Sequence, residues 1–255
     1  MGLRYSAYGT TNIGKVREHN EDAFYVSDKG GFFIVSDGMG GLAAGEVASR
    51  ITKETISKIL EESFATAKSV EALLKKAFLQ ANAAVRKALD ESSRKKGMGC
   101  TCVVLAFRDN DFFIAYVGDS RIYLYRSGKL KQITRDHSYV EELFLRGLIS
   151  EEEKKDHPYK NTITRYVGHA DTLEVDISSG PVSNNDTFLL CSDGLSGEVD
   201  DSEIERILGA ETEPEKQVNA LVEKALENGG GDNITAIVVK VEKKSPGFFK
   251  KLLGW

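Results

Sequence analysis

Three apolar runs in this sequence each end in a small residue followed by an aspartate. These aspartates are Asp37, Asp119 and Asp193. A fourth, Asp232, comes just before the apolar run 234–241 and, if that run is an antiparallel strand, lies at the same edge of the sheet. Taken singly, an aspartate beside a glycine is most often a turn residue, because its side chain bonds the local backbone. Four aspartates at equivalent strand ends indicate a cluster of carboxylates. These carboxylates would repel one another, and divalent cations would remove that repulsion.

The types of residue in this cluster select the metal. Carboxylate and carbonyl oxygens, including the carbonyl of Gly38, are hard ligands that suit Mg²⁺ or Mn²⁺. The histidines show neither H-x-H nor H-E-x-x-H spacing and the cysteines form no C-x-x-C pair, so a zinc site is not indicated. Two cations sharing Asp37 would hold a bridging water and lower its pKa.

A second polar cluster lies upstream, in residues 17–22. Glu21 and Asp22 are candidate outer ligands that act through water, and Arg17 has the planar donors that grip phosphate oxygens in pairs. Without the downstream aspartates, a solvated polar loop would be the better interpretation.

Residues 38–43 also fit the G-x-G-x-x-A fingerprint of dinucleotide-binding loops. Asp37 would then stand beside a pyrophosphate, and the next element is expected to be a second helix rather than a parallel strand. We therefore do not expect dinucleotide binding.

Composition limits the classes of protein further. The 255 residues, 41% of them hydrophobic, predict one sizeable globular domain, or at most two small ones. A formal net charge of -5 lacks the basic surface of a nucleic-acid binder. No apolar run approaches the roughly 20 residues of a membrane span, and residues 1–10 lack the apolar core of a signal peptide. We therefore expect a cytoplasmic protein.

Apolar spacing predicts more strands than helices. Strands are expected at 4–11, 23–27, 32–36, 100–107, 112–117, 121–125, 130–134, 173–177, 187–191 and 233–241. Helices are expected at 43–62, 70–91, 139–146, 201–208 and 215–227, whereas the charged stretch 151–157 is expected to be looser. Because helices come in pairs and do not alternate with strands, the prediction is an α+β fold of mostly antiparallel sheet.

Six motifs follow one another along the chain. They are Arg17-Glu18-His19-Asn20-Glu21-Asp22, Asp37-Gly38-Met39-Gly40-Gly41, Gly99-Cys100-Thr101, Val117-Gly118-Asp119-Ser120-Arg121, Ser192-Asp193-Gly194-Leu195 and Gly231-Asp232-Asn233-Ile234-Thr235. In this order they resemble the metal-dependent protein phosphatases of the protein phosphatase 2C family, in their compact bacterial form, over roughly residues 5–241. The resemblance implies a β-sandwich of two antiparallel sheets flanked by pairs of α-helices.

The resemblance also implies an organisation of the chain. A phosphatase domain of residues 1–242 would carry a mobile flap at about 136–168, and residues 243–255 would form a short C-terminal tail. The tail is basic and apolar, which favours packing on the domain or fraying over a membrane-surface contact. The resemblance implies a protein that acts on phosphoproteins and opposes a bacterial Ser/Thr kinase, and we expect it to be a monomer.

The resemblance assigns roles to the acidic residues. Asp37 would bridge two Mn²⁺ or Mg²⁺ ions, with Asp193 and Asp232 completing the first site and the Gly38 carbonyl the second. Asp119, with Asp193, would bind a third, weaker ion. The remaining implied ligands, which act largely through water, are Glu21 and Asp22.

The implied reaction is hydrolysis of phosphoserine and phosphothreonine by the metal-activated bridging water, with Arg17 clamping the phosphate and no phosphoenzyme. Some family members carry a histidine where Met39 stands, the proposed general acid. Since methionine has no proton to give, we expect water at the third metal to protonate the leaving group. Two alternatives stay open: a non-catalytic phosphoprotein-binding module on the same fold, expected to lack the metal ligands, and a hydrolase of small phosphate esters.

Overall fold

A computed structural model describes residues 3–27, 31–40, 44–90, 99–169 and 172–243. In chain order the strands are β1 (Leu3–Asn12), β2 (Ala23–Val26), β3 (Phe32–Ser36), β4 (Gly38–Met39), β5 (Gly99–Cys100), β6 (Cys102–Arg108), β7 (Asp111–Val117), β8 (Arg121–Arg126), β9 (Lys129–Gln132), β10 (Asp176–Pro181), β11 (Thr187–Cys191) and β12 (Ile234–Lys243). The helices are α1 (Ala44–Ser63), α2 (Val70–Asp90), α3 (Tyr139–Leu145), α4 (Glu151–Asp156), α5 (Asp193–Ser196), α6 (Asp201–Ala210) and α7 (Pro214–Asn228).

Two five-stranded sheets form the frame. The first has the order β1-β12-β11-β8-β9 and the second the order β10-β7-β6-β3-β2, and the neighbouring strands pair antiparallel. A two-stranded ribbon joins β4 to β5. The predicted α+β sandwich is confirmed.

Three apolar layers hold the frame together, because alternate residues of a strand face opposite sides of its sheet. Phe33 of β3 and Phe188 of β11 lie in the layer between the two sheets. Phe32 instead packs with α1 and α2 on the outside of the second sheet. Leu189 packs with α6 and α7 on the outside of the first. Both β3 and β11 are therefore buried on both faces, and their ends are held rigidly where the aspartates follow.

The structure corrects the expectation for residues 151–157, which form a helix rather than a loose stretch. A capping box begins α4: the Ser150 hydroxyl accepts from Glu153 N at 3.2 Å, and the Glu153 carboxylate accepts from Ser150 N at 2.7 Å. This local signal stabilises a helix that buries no side chain.

Two strand predictions were also displaced. The strand expected at 173–177 is β10, which begins at Asp176 because its pairing with β7 runs from Asp176 opposite Tyr116 to Pro181 opposite Asp111. The strand expected at 100–107 is interrupted at Thr101, whose backbone N–H bonds the carbonyl of Asp37 instead. The short helix α5 was not expected.

Across the described residues, no helix combines the length and apolar character needed to traverse a lipid bilayer. The predicted tail lies outside the described residues from position 244 onward.

Candidate functional site

The predicted aspartates come together at one edge of the sandwich. Asp37 follows β3 and Asp119 follows β7, both in the second sheet. Asp193 follows β11 and Asp232 precedes β12, both in the first sheet. Asp22, at the start of β2, completes the group. The two sheets thus deliver acidic groups to a shared edge from opposite sides.

Asp37 lies at the centre of this group. Burial raises the pKa of its carboxyl well above the usual range, and the negative charges of Asp22, Asp193 and Asp119 raise it further. Its side chain hydrogen-bonds that of Asp193, whose own pKa is raised by burial and then by the charge of Asp232. A hydrogen bond between two carboxyl groups requires a proton on one of them, so the pair shares a proton when no cation is bound.

Two buried carboxylate oxygens have no hydrogen-bond partner among the described residues: Asp22 Oδ1 and Asp119 Oδ1. The other oxygen of Asp22 accepts from Ser192 Oγ at 2.8 Å and from Thr235 Oγ1 at 2.6 Å. Burial nevertheless raises the pKa of Asp22 to about 7. Burial raises the pKa of Asp119 well above its usual value, and the charge of Asp193 adds to the shift.

These unpartnered oxygens test whether the site fits a metal. A buried acceptor without a partner costs free energy, which a cation would recover. The donors are hard oxygens that suit Mg²⁺ or Mn²⁺. Among the described residues no three acidic, histidine or cysteine groups are already arranged to hold an ion. The residues present fit the group through their hard oxygen donors and the two unpartnered carboxylate oxygens.

An ion pair joins Asp232 to Arg17. Arg17 Nη2 lies 2.7 Å from Asp232 Oδ2, and 51% of the Arg17 side chain is exposed. Because a guanidinium has five N–H donors, most of those on Arg17 are left for another partner. The pKa of Arg17 is raised chiefly by its hydrogen bond to Asp232.

Asn233 fastens the loop that carries Arg17. Its side-chain amide donates to the carbonyls of Ile13 at 2.9 Å and His19 at 3.0 Å, and its Oδ1 accepts from Glu21 N at 2.8 Å. The loop 13–21 is therefore tied to the start of β12, next to Asp232.

Glu21 and Gly38 meet where α1 begins. The Glu21 carboxylate accepts a hydrogen bond from the backbone of Gly45, in the first turn of α1, and its pKa is raised by burial. A Cβ on Gly38 would lie 2.3 Å from the Gly45 carbonyl oxygen and 2.5 Å from that of Glu21. Only glycine allows this approach of three backbone segments.

Thr101 connects two of the acidic segments. Its hydroxyl accepts from Asp37 N at 3.1 Å and bonds Ser120 Oγ at 2.6 Å, while its backbone N–H donates to the Asp37 carbonyl at 2.8 Å. Asp37 and the turn that holds Asp119 are thus fixed relative to each other through one buried threonine.

The family profile of protein phosphatase 2C matches residues 9–228. The chain belongs to the protein phosphatase 2C family. It is 38% identical over 235 residues to the serine/threonine phosphatase stp of Listeria innocua, an alignment that covers 90% of this chain and 93% of that protein.

Solved structures of this phosphatase family share the fold. Serine/threonine phosphatase Stp1 from Staphylococcus aureus is 34% identical with a TM-score of 0.88, over 94% of this chain and 96% of Stp1. The catalytic domain of the serine/threonine protein phosphatase PstP, solved in complex with two manganese ions, is 32% identical with a TM-score of 0.87, over 95% of this chain and 100% of that domain.

In this protein phosphatase 2C chain, sequence reasoning missed the residues that orient the acidic groups. They are Thr101, Ser192, Asn233 and Thr235. Each lies inside one of the six motifs, so their position was available as a signal, but the contacts they make join segments far apart in the chain.

Proposed function

We propose that this chain hydrolyses phosphoserine and phosphothreonine in proteins with Mn²⁺ or Mg²⁺ as cofactor. Membership of the protein phosphatase 2C family and the phosphatase names of its relatives support this. The observation that carries the proposal is the convergence of aspartates at one edge of the sandwich, two of which are buried and have unpartnered oxygens.

Asp37, Asp193, Asp232 and the Gly38 carbonyl would hold two cations, and Asp119 with Asp193 a third. The remaining proposed ligands, acting largely through water, are Glu21 and Asp22. The cations, when bound, offset phosphate charge and lower the pKa of a coordinated water. The two manganese ions of PstP support the two-ion part of this assignment.

Arg17 would orient the phosphate. The ion pair with Asp232 keeps its guanidinium at the carboxylate edge while its exposed face stays open to a ligand. Parallel hydrogen bonds to two phosphate oxygens would align the phosphorus for attack.

The leaving serine or threonine oxygen needs a proton that Met39 has no group to supply. We expect that proton to come from the site formed by Asp119 and Asp193. Asp119→Ala should then slow hydrolysis of a phosphopeptide, and Met39→His in that background should recover part of the rate. An unchanged rate in Asp119→Ala, together with a faster Met39→His enzyme, would remove this role from Asp119.

The deciding experiment is hydrolysis of p-nitrophenyl phosphate and of a phosphothreonine peptide by the purified protein in EDTA, Mg²⁺ or Mn²⁺. Activity that requires the cation and is absent in Asp37→Asn supports the proposal. A folded protein without activity in any cation would instead favour a phosphoprotein-binding module. A higher kcat/KM on small phosphate esters than on peptides would favour a small-molecule hydrolase.

An opposing Ser/Thr kinase, a monomeric state and a cytoplasmic location stay predictions of the sequence. So do the domain boundary near 242 and the flap at about 136–168.

A further inference from the structure

His137 has a buried side chain and makes two hydrogen bonds to the turn that carries Asp119. It lies at the start of the segment 136–168, called the flap below, and is 6% exposed. The backbone N–H of His137 donates to the Gly118 carbonyl at 2.9 Å, and the N–H of Gly118 donates to His137 Nδ1 at 3.1 Å. Both backbone polar groups of Gly118 are therefore bound to the same residue.

Position 118 requires glycine, which has no side chain of its own to fix the backbone conformation. Its φ of 103° lies in the region that favours glycine, and a Cβ there would come within 2.6 Å of the Thr101 side chain. The next residue is Asp119, whose Oδ1 has no hydrogen-bond partner among the described residues. The position of the Asp119 carboxylate therefore depends on how the backbone of this turn is held.

His137 also closes the base of the flap. Its carbonyl accepts from Thr164 N at 2.8 Å, and the neighbouring Ser138 forms an isolated bridge with Ile163. The entering and leaving ends of the flap are thus joined at the residue that holds Gly118.

The imidazole is fixed in one tautomer. Since Nδ1 accepts from Gly118, the proton of the neutral ring is on Nε2, which lies 3.4 Å from Asp176 Oδ2. The ring stacks on Tyr116 with centroids 5.3 Å apart. Burial lowers the pKa of His137, which keeps Nδ1 free to accept.

We propose that His137 is a positioning residue that couples the base of the flap to the turn carrying Asp119, so that displacement of either is transmitted to the other. The importance of this coupling for catalysis rests on the proposed phosphatase function. The coupling itself is a property of the metal-free protein and is tested separately.

Two substitutions of His137 distinguish the role of its hydrogen-bond acceptor from that of its ring. His137→Phe keeps a ring beside Tyr116 and removes the acceptor. His137→Asn removes the ring but keeps an acceptor, because its Oδ1 is bonded to Cγ as Nδ1 is in histidine. Amide hydrogen exchange of Gly118 and Thr164 is measured by NMR in EDTA, with the amides of α7 as an internal control.

In His137→Phe we expect both Gly118 and Thr164 to exchange roughly tenfold faster than in the unaltered protein. His137→Asn should recover most of the protection at both, and α7 should not change. With Mn²⁺, kcat/KM on a phosphothreonine peptide should fall in the Phe variant and recover in the Asn variant.

Faster exchange at Gly118 with Thr164 unchanged would overturn the coupling. Equal losses in the Phe and Asn variants would make His137 a packing residue only, and unchanged exchange in both would remove it altogether. If the unaltered protein hydrolyses nothing in Mn²⁺ or Mg²⁺, the proposed function fails while the exchange data still decide the role of His137.

Discussion

The five-residue strand β11 has a carboxylate at each end, and the two are treated in opposite ways. At its start, Asp186 is fully buried and accepts from Arg126 Nε and Nη2, each at 2.7 Å, and from Ser183 N at 2.6 Å. At its end, roughly 20 Å away at about 3.3 Å per residue, Asp193 faces other acidic groups, and burial and the charge of Asp232 raise its pKa.

Under the proposed function, the difference separates a structural carboxylate from one that would bind a cation. When the protein's own groups compensate a buried charge, removing one of the partners destabilises the folded state. A buried group left among like charges costs stability, and such costs are concentrated at functional sites. The arginines differ in the same way, since Arg126 is bidentate on its aspartate, whereas Arg17 makes a single exposed contact.

The largest effect should come from Asp37→Asn. We expect kcat/KM on a phosphothreonine peptide in Mn²⁺ to fall by at least about 10³-fold. In EDTA near pH 7 its melting temperature should not fall, because a pKa raised in the folded state means that the ionised carboxylate costs stability there. Near-normal turnover, or a large loss of thermal stability, would break the contrast between the two ends of β11.

Arg17→Ala should raise KM roughly tenfold or more with a smaller change in kcat, because charge-assisted hydrogen bonds to phosphate are lost. Steady-state kinetics on the same peptide measures both. A lower kcat with KM unchanged would indicate that Arg17 acts chiefly in the transition state. Since the Arg17–Asp232 pair is exposed, the melting temperature should hardly change.

Thr101→Val tests whether the acidic end depends on its orienting contacts. The change keeps the side-chain shape but leaves Asp37 N and Ser120 Oγ without this partner, and we expect kcat/KM to fall about tenfold. Thr101→Ser is the matched control, because it retains the hydroxyl. If the serine variant is as slow as the valine variant, the lost methyl packing, not the hydrogen bonds, is responsible.

Asp186→Asn should have the smallest effect on activity and the clearest one on stability. We expect unfolding in urea to show a loss of about 1–2 kcal/mol, a modest figure because Arg126 is 35% exposed. kcat per folded molecule should match the unaltered protein. A changed metal requirement in this variant would show that the two ends of β11 are not independent.

Much of the acidic end could be predicted from the sequence. Apolar runs that stop at a small residue and an aspartate reveal strand ends. Antiparallel pairing brings the end of one strand beside the start of its neighbour, as it does for Asp193 and Asp232. The ion pair of Arg126 with Asp186 could not be predicted, because its partners are 60 positions apart and neither stands in a recognisable motif. Thr101 does stand in a motif, but its role could not be predicted because it depends on which strand lies beside it.

The two errors in element type and boundary have different causes, one local and one long-range. The charge-rich stretch 151–157 lacks an apolar stripe, so periodicity missed a helix that its capping box stabilises. The strand expected at 173–177 begins at Asp176 because its bounds are fixed by the register with β7 and not by its own residues. Backbone partners at long range decide such boundaries.

The burial of β3 on both faces has a practical consequence for cofactor exchange. A strand packed between two apolar layers is released only when the whole domain opens. Chelation should therefore strip the protein of its ions without dismantling the scaffold that ends at Asp37. When Mn²⁺ or Mg²⁺ is added back, the site would already be folded. The rate of reactivation would then be set by ion entry rather than by refolding.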